Sequence, residues 1–354
     1  MTVAYLFGSL NRGGTETLML DVFRSVQAHQ FTLLGIYRKE GALLSDFQAS
    51  GKEMIPLRLR SNPVKYLSDL RSLVKQHKIE ILHAVQSLDA VLADFACTGL
   101  NVKVVQTIHS FDFKASLFSK VLIGLSLRLT DANVFVSHYQ RDYYSRMYPQ
   151  SSGTKNRVVY NGIAMDKLIQ RDKQEPSNPL KLLTVGNFNA GRDQLTLCRF
   201  ALRLKKEGVN FRWLFAGKRI ENEAWRYDRC MNFILENDLS DCVSFPGVRN
   251  DVPQLLAQSD LFVYASEYDT FGIAVVEAMA AGIPVLVNDW PVMKEITEEG
   301  KWAAIYKTKD EDDFFYQFKH AAFNEEASAV IRQRYSIQAH ISSLLEKVYT
   351  PLLQ

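Results

Sequence analysis

Cysteine is scarce. The chain has four, Cys97, Cys198, Cys230 and Cys242, and no two stand as a CxxC pair. That spacing argues against a disulfide framework or a structural zinc site, and isolated thiols in apolar or helical surroundings fit a reducing cytoplasm. Long apolar runs are missing too. The longest candidate, Val121 to Leu127, is flanked by Lys120 and Arg128 and falls well short of the ~20 residues that cross a bilayer. The opening MTVAYLF has no basic stretch and meets a turn at Gly8, so neither a secretory leader nor an integral membrane protein is expected. Charge of one sign is also lacking. Lys and Arg number 42 against 39 Asp and Glu, a net +3, and without a dense basic block no nucleic-acid partner is expected. Neither GxGxxG nor a Walker sequence occurs, and no loop carries a convincing DxD, so no metal site is expected.

What is present is a hydrophobic share of 47% in 354 residues, enough for two domains with real cores. Short β-branched and aromatic runs alternate with longer amphipathic stretches, the pattern of βαβ units on parallel sheets. In the first half the expected strands are Val3–Phe7, Phe31–Ile36, Ile79–Ala84, Val104–Ile108, Asn133–Val136 and Val158–Tyr160. Expected helices are Thr15–Val26, Val64–Gln76, Ala90–Thr98 and Phe118–Leu129. Residues Lys167–Pro179, KLIQRDKQEPSNP, read as a polar linker. The alternation then restarts at Leu182–Val185, Trp213–Ala216, Val243–Phe245, Leu261–Ala265 and Val285–Asn288.

The expected architecture is therefore α/β, with two Rossmann-like doubly wound parallel-sheet domains facing across a cleft. Domain bounds are set at 1–165 and 166–335, with a last helix, 336–354, crossing back to the first domain. Open parallel sheets bind ligands at the carboxyl ends of their strands.

The strongest segment is Ser266–Pro284, SEYDTFGIAVVEAMAAGIP. It reads as strand end, acidic loop, helix, Gly282 as cap and Pro284 as stop. After Thr270, Phe271 and Gly272, the helix start at Ile273 offers free N–H groups to an anion. Glu277, about 7.5 Å along the axis, would meet the ribose of a bound nucleoside diphosphate, and Asp269 the sugar beyond it. The plainer alternative is a surface loop followed by a core helix with one ion-paired glutamate.

Thr184–Leu195, TVGNFNAGRDQL, is the second segment. A strand ends at Gly186, Asn187 opens a loop, and Arg192 precedes a helix near Asp193. An arginine there can grip a phosphate with two N–H groups. Lys218 and Arg249 follow later strands and would add positive potential. Gly8–Glu16, GSLNRGGTE, is a glycine loop in which Gly13 and Gly14 permit close backbone approach and Thr15 reads as an N-cap. His109 stands at the end of the strand VVQTI, where a satisfied strand-end histidine is the alternative to a functional one.

These segments resemble family 4 retaining glycosyltransferases of the GT-B architecture. Asp269 and Glu277, with seven residues between them and Ala-Met and Gly-x-Pro after, match the family's acidic signature except that Asp stands where Glu is usual. Asn187 and Arg192 occupy the places of the Arg and Lys that hold the donor diphosphate there. The resemblance further implies that His109 touches the transferred sugar, that the Gly13-Gly14 loop reaches donor phosphate and acceptor, and that the stretches at Gly217 and Phe245–Arg249 hold the base. Asn161-Gly162 would close the first domain as a hinge.

The implied activity is transfer of a hexosyl unit, with retention and without a metal cofactor, from a nucleotide-sugar donor (a UDP- or GDP-sugar) to a hydroxyl of a carbohydrate or lipid-linked carbohydrate acceptor. The first domain would bind the acceptor and the second the donor, in surface polysaccharide or glycolipid synthesis. Alternatives are a non-catalytic GT-B partner subunit, which Asn187 and Asp269 keep open, and a nucleotide-sugar epimerase. Phe113–Leu129 mixes aromatic, aliphatic and basic residues. It reads as an amphipathic helix on its own sheet, or as a peripheral membrane contact at the cytoplasmic face.

Overall fold

The structure, a computed structural model, describes residues 1–59, 62–151, 153–171 and 175–354. Within the 167–179 linker, residues 172–174 lie outside the described residues. The chain separates into two compact units, Met1–Ile163 with Ile337–Gln354, and Ala164–Ser336.

The first unit carries seven strands among the described residues: β1 Thr2–Phe7, β2 Thr32–Tyr37, β3 Glu53–Pro56, β4 Ile81–Ala84, β5 Lys103–Ile108, β6 Ala132–Phe135 and β7 Asn156–Val158. All pair in parallel, in the order β3-β2-β1-β4-β5-β6-β7. β1 shows how the sequence builds the layers. Side chains alternate across a strand, so Val3, Tyr5 and Phe7 enter one core while Ala4 and Leu6 enter the other. Ile337, Ile341, Leu344, Val348 and Tyr349 close the Tyr5 face. There the Tyr349 hydroxyl lies 3.0 Å from that of Tyr5 and 2.5 Å from His83 Nδ1.

The second unit carries six: β8 Leu180–Val185, β9 Phe211–Ala216, β10 Val243–Gly247, β11 Leu261–Tyr264, β12 Val285–Asn288 and β13 Ala304–Tyr306, ordered β10-β9-β8-β11-β12-β13 and again parallel. Phe200 and Phe314 stack with centroids 4.0 Å apart beside Trp213 in its core. Helix Ile273–Ala281 is rich in alanine on its buried side. That lets helix Glu325–Arg334 come close enough for Ser328 Oγ and Arg332 Nε each to donate to the Ala280 carbonyl at 2.8 Å.

Two strands, β3 and β13, had no counterpart in the sequence reading. Both are short edge strands, EMIP and AIY, largely half-buried or exposed, so neither shows the apolar run that marks a central strand of a parallel sheet. Thr15 is not the N-cap of its helix. The helix runs Gly14–Ser25 with Gly13 as cap and no side-chain capping bond, so open backbone N–H groups rather than a threonine hydroxyl head it.

Candidate active site in the second unit

In an open parallel sheet the ligand crevice forms where the strand order reverses. In the second unit this point lies between β8 and β11. The loops that follow these two strands, 186–193 and 265–272, hold most of the residues singled out from the sequence.

The first loop is fixed by glycine. A Cβ on Gly217 would sit 2.0 Å from the Gly186 carbonyl oxygen, so only glycine lets the loops after β8 and β9 touch. Asn187 joins them: its side-chain oxygen accepts from the Lys218 backbone N–H at 2.9 Å. Gln194 donates to the carbonyls of Gly186 and Asn187. Asp193 caps helix Gln194–Lys206 through the Thr196 N–H. Arg192 is thereby left at the loop's end, bridged to Ser266 of the second loop.

The second loop meets it there. Asp269 accepts an ion pair from Arg192 Nη1 and a 2.5 Å hydrogen bond from the Tyr264 hydroxyl. Its backbone N–H donates to Ser266 Oγ at 2.9 Å, and its carbonyl accepts from Trp290 Nε1 at 2.9 Å. The guanidinium also lies over the Tyr264 ring, 5.0 Å from its centroid. Burial opposes the charge on Arg192, yet Asp269 and Tyr264 outweigh it and raise its pKa above the ordinary range. The buried Nε of Arg192 has no hydrogen-bond partner. A buried donor without an acceptor is costly, and the ion pair with Asp269 holds the guanidinium in place despite it.

Gly272 then turns the chain into helix Ile273–Ala281 with φ +82°, and a Cβ there would come within 2.7 Å of Met293 Cε. No side chain caps this helix, so its first N–H groups remain open to a ligand. Glu277 is half-buried on the same face as Ile273, one turn on. Thr270 is half-buried beside them, whereas Phe271 is buried edge-on against Tyr335 at 5.5 Å and serves packing.

Other singled-out residues lie elsewhere. Lys218 is exposed. Arg249, exposed after β10, is turned to Asp251, with 2.7 Å between Nε and Oδ1. Gly13, Gly14 and His109 belong to the first unit. A Cβ on Gly13 would meet the Glu16 carboxylate at 2.5 Å, whereas Gly14 has open space. His109 follows β5, and burial, with His340 nearby, pushes its pKa down to about 3. It is a neutral imidazole at ordinary pH.

Sequence reasoning passed over Tyr264 and Trp290, which hold Asp269 from two sides. Tyr264 reads as one more apolar strand residue in LFVYA. Only the place of Trp290, just past the end of β12, could have pointed to it. Among the described residues, no three His, Cys, Asp or Glu are grouped to hold a metal ion.

The chain matches the family Glycosyl transferases group 1 over residues 166–335 and Glycosyltransferase Family 4 over residues 12–167. It is 21% identical over 310 residues to the O-antigen biosynthesis glycosyltransferase WclY of Escherichia coli, covering 84% of this chain and 83% of that one. It is 23% identical over 302 residues to the E. coli UDP-Gal:alpha-D-GlcNAc-diphosphoundecaprenol alpha-1,3-galactosyltransferase, covering 78% and 76%. Its fold superimposes on the crystal structure of Anabaena HepE in complex with UDP and glucose, with a TM-score of 0.80 at 18% identity and 98% and 99% coverage.

Proposed function

As a member of the GT-B glycosyltransferases, with a family 4 first half and a group 1 second half, the chain is a transferase enzyme, and we propose that it moves a hexosyl unit, with retention, from a UDP-sugar to a hydroxyl of a lipid-linked carbohydrate. One observation carries the donor half of this reading. Arg192, with an unpartnered buried Nε, stands beside Asp269 and the uncapped helix start at Gly272, at the reversal point of the second sheet. These groups suit a diphosphate, with Glu277 one turn on for the ribose hydroxyls and Asp269 for the sugar. UDP is favoured over GDP because HepE binds it in the same fold and the galactosyltransferase relative uses UDP-Gal. That relative supports a lipid-linked acceptor, and WclY supports a place in O-antigen or other surface polysaccharide synthesis.

In the proposed reaction the bond from the anomeric carbon to the diphosphate oxygen breaks as the acceptor oxygen bonds to the same face. The acceptor proton passes to the departing phosphate. Arg192 and the N–H groups after Gly272 stabilise the charge that develops on that phosphate, the kind of contribution that is usually largest. Lys218 and Arg249 would add long-range potential only. No metal takes part.

Thermal unfolding of the purified protein with UDP-, GDP- and ADP-sugars tests the donor. A ligand at a hundred times its Kd adds ~2.7 kcal/mol. The shift should appear with UDP-sugars, survive EDTA, and fall by about half or more in Arg192→Ala and Glu277→Ala. A shift that both variants keep would place the donor elsewhere, and an inverted anomer in the product would overturn retention.

A further inference from the structure

Helices Gln194–Lys206 and Ala224–Glu236 pack together on one face of the second sheet, in the core of Leu197, Cys198, Cys230 and Ile234. The strand order reverses between β8 and β11, so helix Ile273–Ala281 crosses on the other face. Between the first two helices lies a cavity of about 290 Å³. Arg199 borders it from one helix, and Trp225, Arg226 and Arg229 from the other, with Lys309 and Glu267 beside them. Of the groups placed in the donor crevice only Arg192 also borders this cavity, and its Nη1 is turned to Asp269.

The charges around the cavity do not balance. Five cations border it against two acids, Asp193 and Glu267. Three of the cations are spent: Arg192 pairs with Asp269, Arg226 with Glu223 at 2.8 Å, and Lys309 with Glu267 at 3.3 Å and Asp193 at 4.0 Å. Acids farther out are engaged elsewhere. Asp228 holds Arg219 and Asp312 holds Arg203, both at 3.0 Å, while Asp310 and Asp313 accept from backbone N–H groups. Glu221 and Glu311 are exposed and do not border the cavity. Arg199 and Arg229 remain, one from each helix, exposed and without an ion pair among the described residues. Two unpaired guanidiniums on one small cavity repel each other and favour a dianion between them. A phosphate monoester, at about −1.5 to −2 near pH 7, matches that surplus, and the guanidinium fork fits its oxygens.

The wall beside these cations is aromatic. Trp225 is 50% exposed, with the Arg226 guanidinium 4.4 Å and that of Arg229 5.8 Å from its ring. A large indole left in water next to a cavity offers a ring or a sugar face a surface to stack on. Size narrows the choice. About 290 Å³ is at the small end of the ~300–1,000 Å³ usual for ligand sites, which suits a phosphorylated monosaccharide and not a nucleotide-sugar.

We propose that this cavity binds a phosphate monoester of monosaccharide size, its phosphate between Arg199 and Arg229 and its ring on Trp225. The site belongs to the second unit and needs neither donor nor acceptor, so the proposal stands or falls apart from the transfer reaction.

The test is calorimetric titration of the purified full chain with glucose 6-phosphate, inorganic phosphate and glucose. Glucose 6-phosphate should bind saturably with a Kd of about 1 mM or tighter. Inorganic phosphate should bind roughly tenfold more weakly for want of the stack on Trp225, and glucose without measurable heat. Binding of glucose 6-phosphate should weaken with salt. Arg199→Ala/Arg229→Ala should weaken it roughly tenfold or more while keeping the parent melting temperature, because both positions are exposed, and the parent's response to UDP-sugars. Trp225→Ala should bring glucose 6-phosphate down to the affinity of inorganic phosphate. Glu277→Ala should bind it as the parent does. Absence of saturable binding by the parent chain, or unchanged binding by the double alanine variant, would overturn the proposal. So would displacement of glucose 6-phosphate by UDP, which would put it in the donor crevice.

Discussion

Arg192 and Asp269 form an ion pair that joins the loops after β8 and β11, at the point where the strand order of the second sheet reverses. They were singled out separately in the sequence, one for phosphate and one for sugar, and they meet directly. Their side chains are 21% and 14% exposed, so neither charge is fully hydrated, and breaking the pair should cost about 1–3 kcal/mol.

The two single variants should then part company. Arg192→Ala removes the phosphate contact and should weaken UDP binding roughly tenfold or more. Asp269→Asn releases the guanidinium while keeping the side-chain shape. It should hold UDP at least as well as the parent yet transfer sugar far more slowly. Calorimetric titration with UDP beside turnover separates them, and equal loss of UDP in both would make the pair purely structural.

Glu277→Gln tests the carboxylate without changing its size. On the half-buried face one turn into helix Ile273–Ala281, an amide would accept from one ribose hydroxyl where a carboxylate accepts from two. Loss of a hydrogen bond to a charged group corresponds to about 1.5–3 kcal/mol, or roughly ten- to hundredfold in kcat/KM, with little change in melting temperature. Parent-like kinetics would remove Glu277 from the donor site.

Much of this was legible because parallel strands buried on both faces announce themselves. LFVY and the VLV of VLVN are continuous apolar runs, and both strands are wholly buried. The edge strands β3 and β13 lack that burial and so lack the signal. The loop residues were legible by their position after strands, but not their partners. Nothing in TVGNFNAGRDQL says that the Asn187 side chain spans to Lys218. Nothing in LFVYA says that the Tyr264 hydroxyl will reach Asp269, since a strand pattern gives the face of a side chain and not what its tip meets.

Gly217→Ala should be among the most damaging single-methyl additions in the second unit. Its Cβ would lie 2.0 Å from the Gly186 carbonyl oxygen and 3.1 Å from the Asn187 nitrogen, so backbone must move. Overpacking of this kind costs about 1–3 kcal/mol. Gly272→Ala meets instead the end of the flexible Met293 side chain. Its cost is chiefly that of a left-handed backbone, about 1–2 kcal/mol. Urea unfolding measures both, and Met293→Ala should relieve little of the second.

The first unit should weaken in mild acid. His83, His109 and His340 are depressed by burial, His109 to about 3 and His340 to about 4 from 6.5, and His83 well below that value. A histidine held neutral in the fold takes up a proton more readily when unfolded. Stability is therefore full above pH ~6.5 and declines as pH falls below it, until the folded pKa is reached. Each buried imidazole should forfeit about 2 kcal/mol between pH 6.5 and 5. His340 offers the cleanest test. Its Nδ1 donates to the Tyr160 carbonyl at 2.7 Å while its buried Nε2 has no partner. His340→Asn keeps a donor at that place and removes the titrating ring. It should therefore flatten the loss of unfolding free energy between pH 7 and 5 by about a third, if the three contribute alike. An unaltered slope would mean that His340 is already charged in the fold or that its protonation opens no cost there.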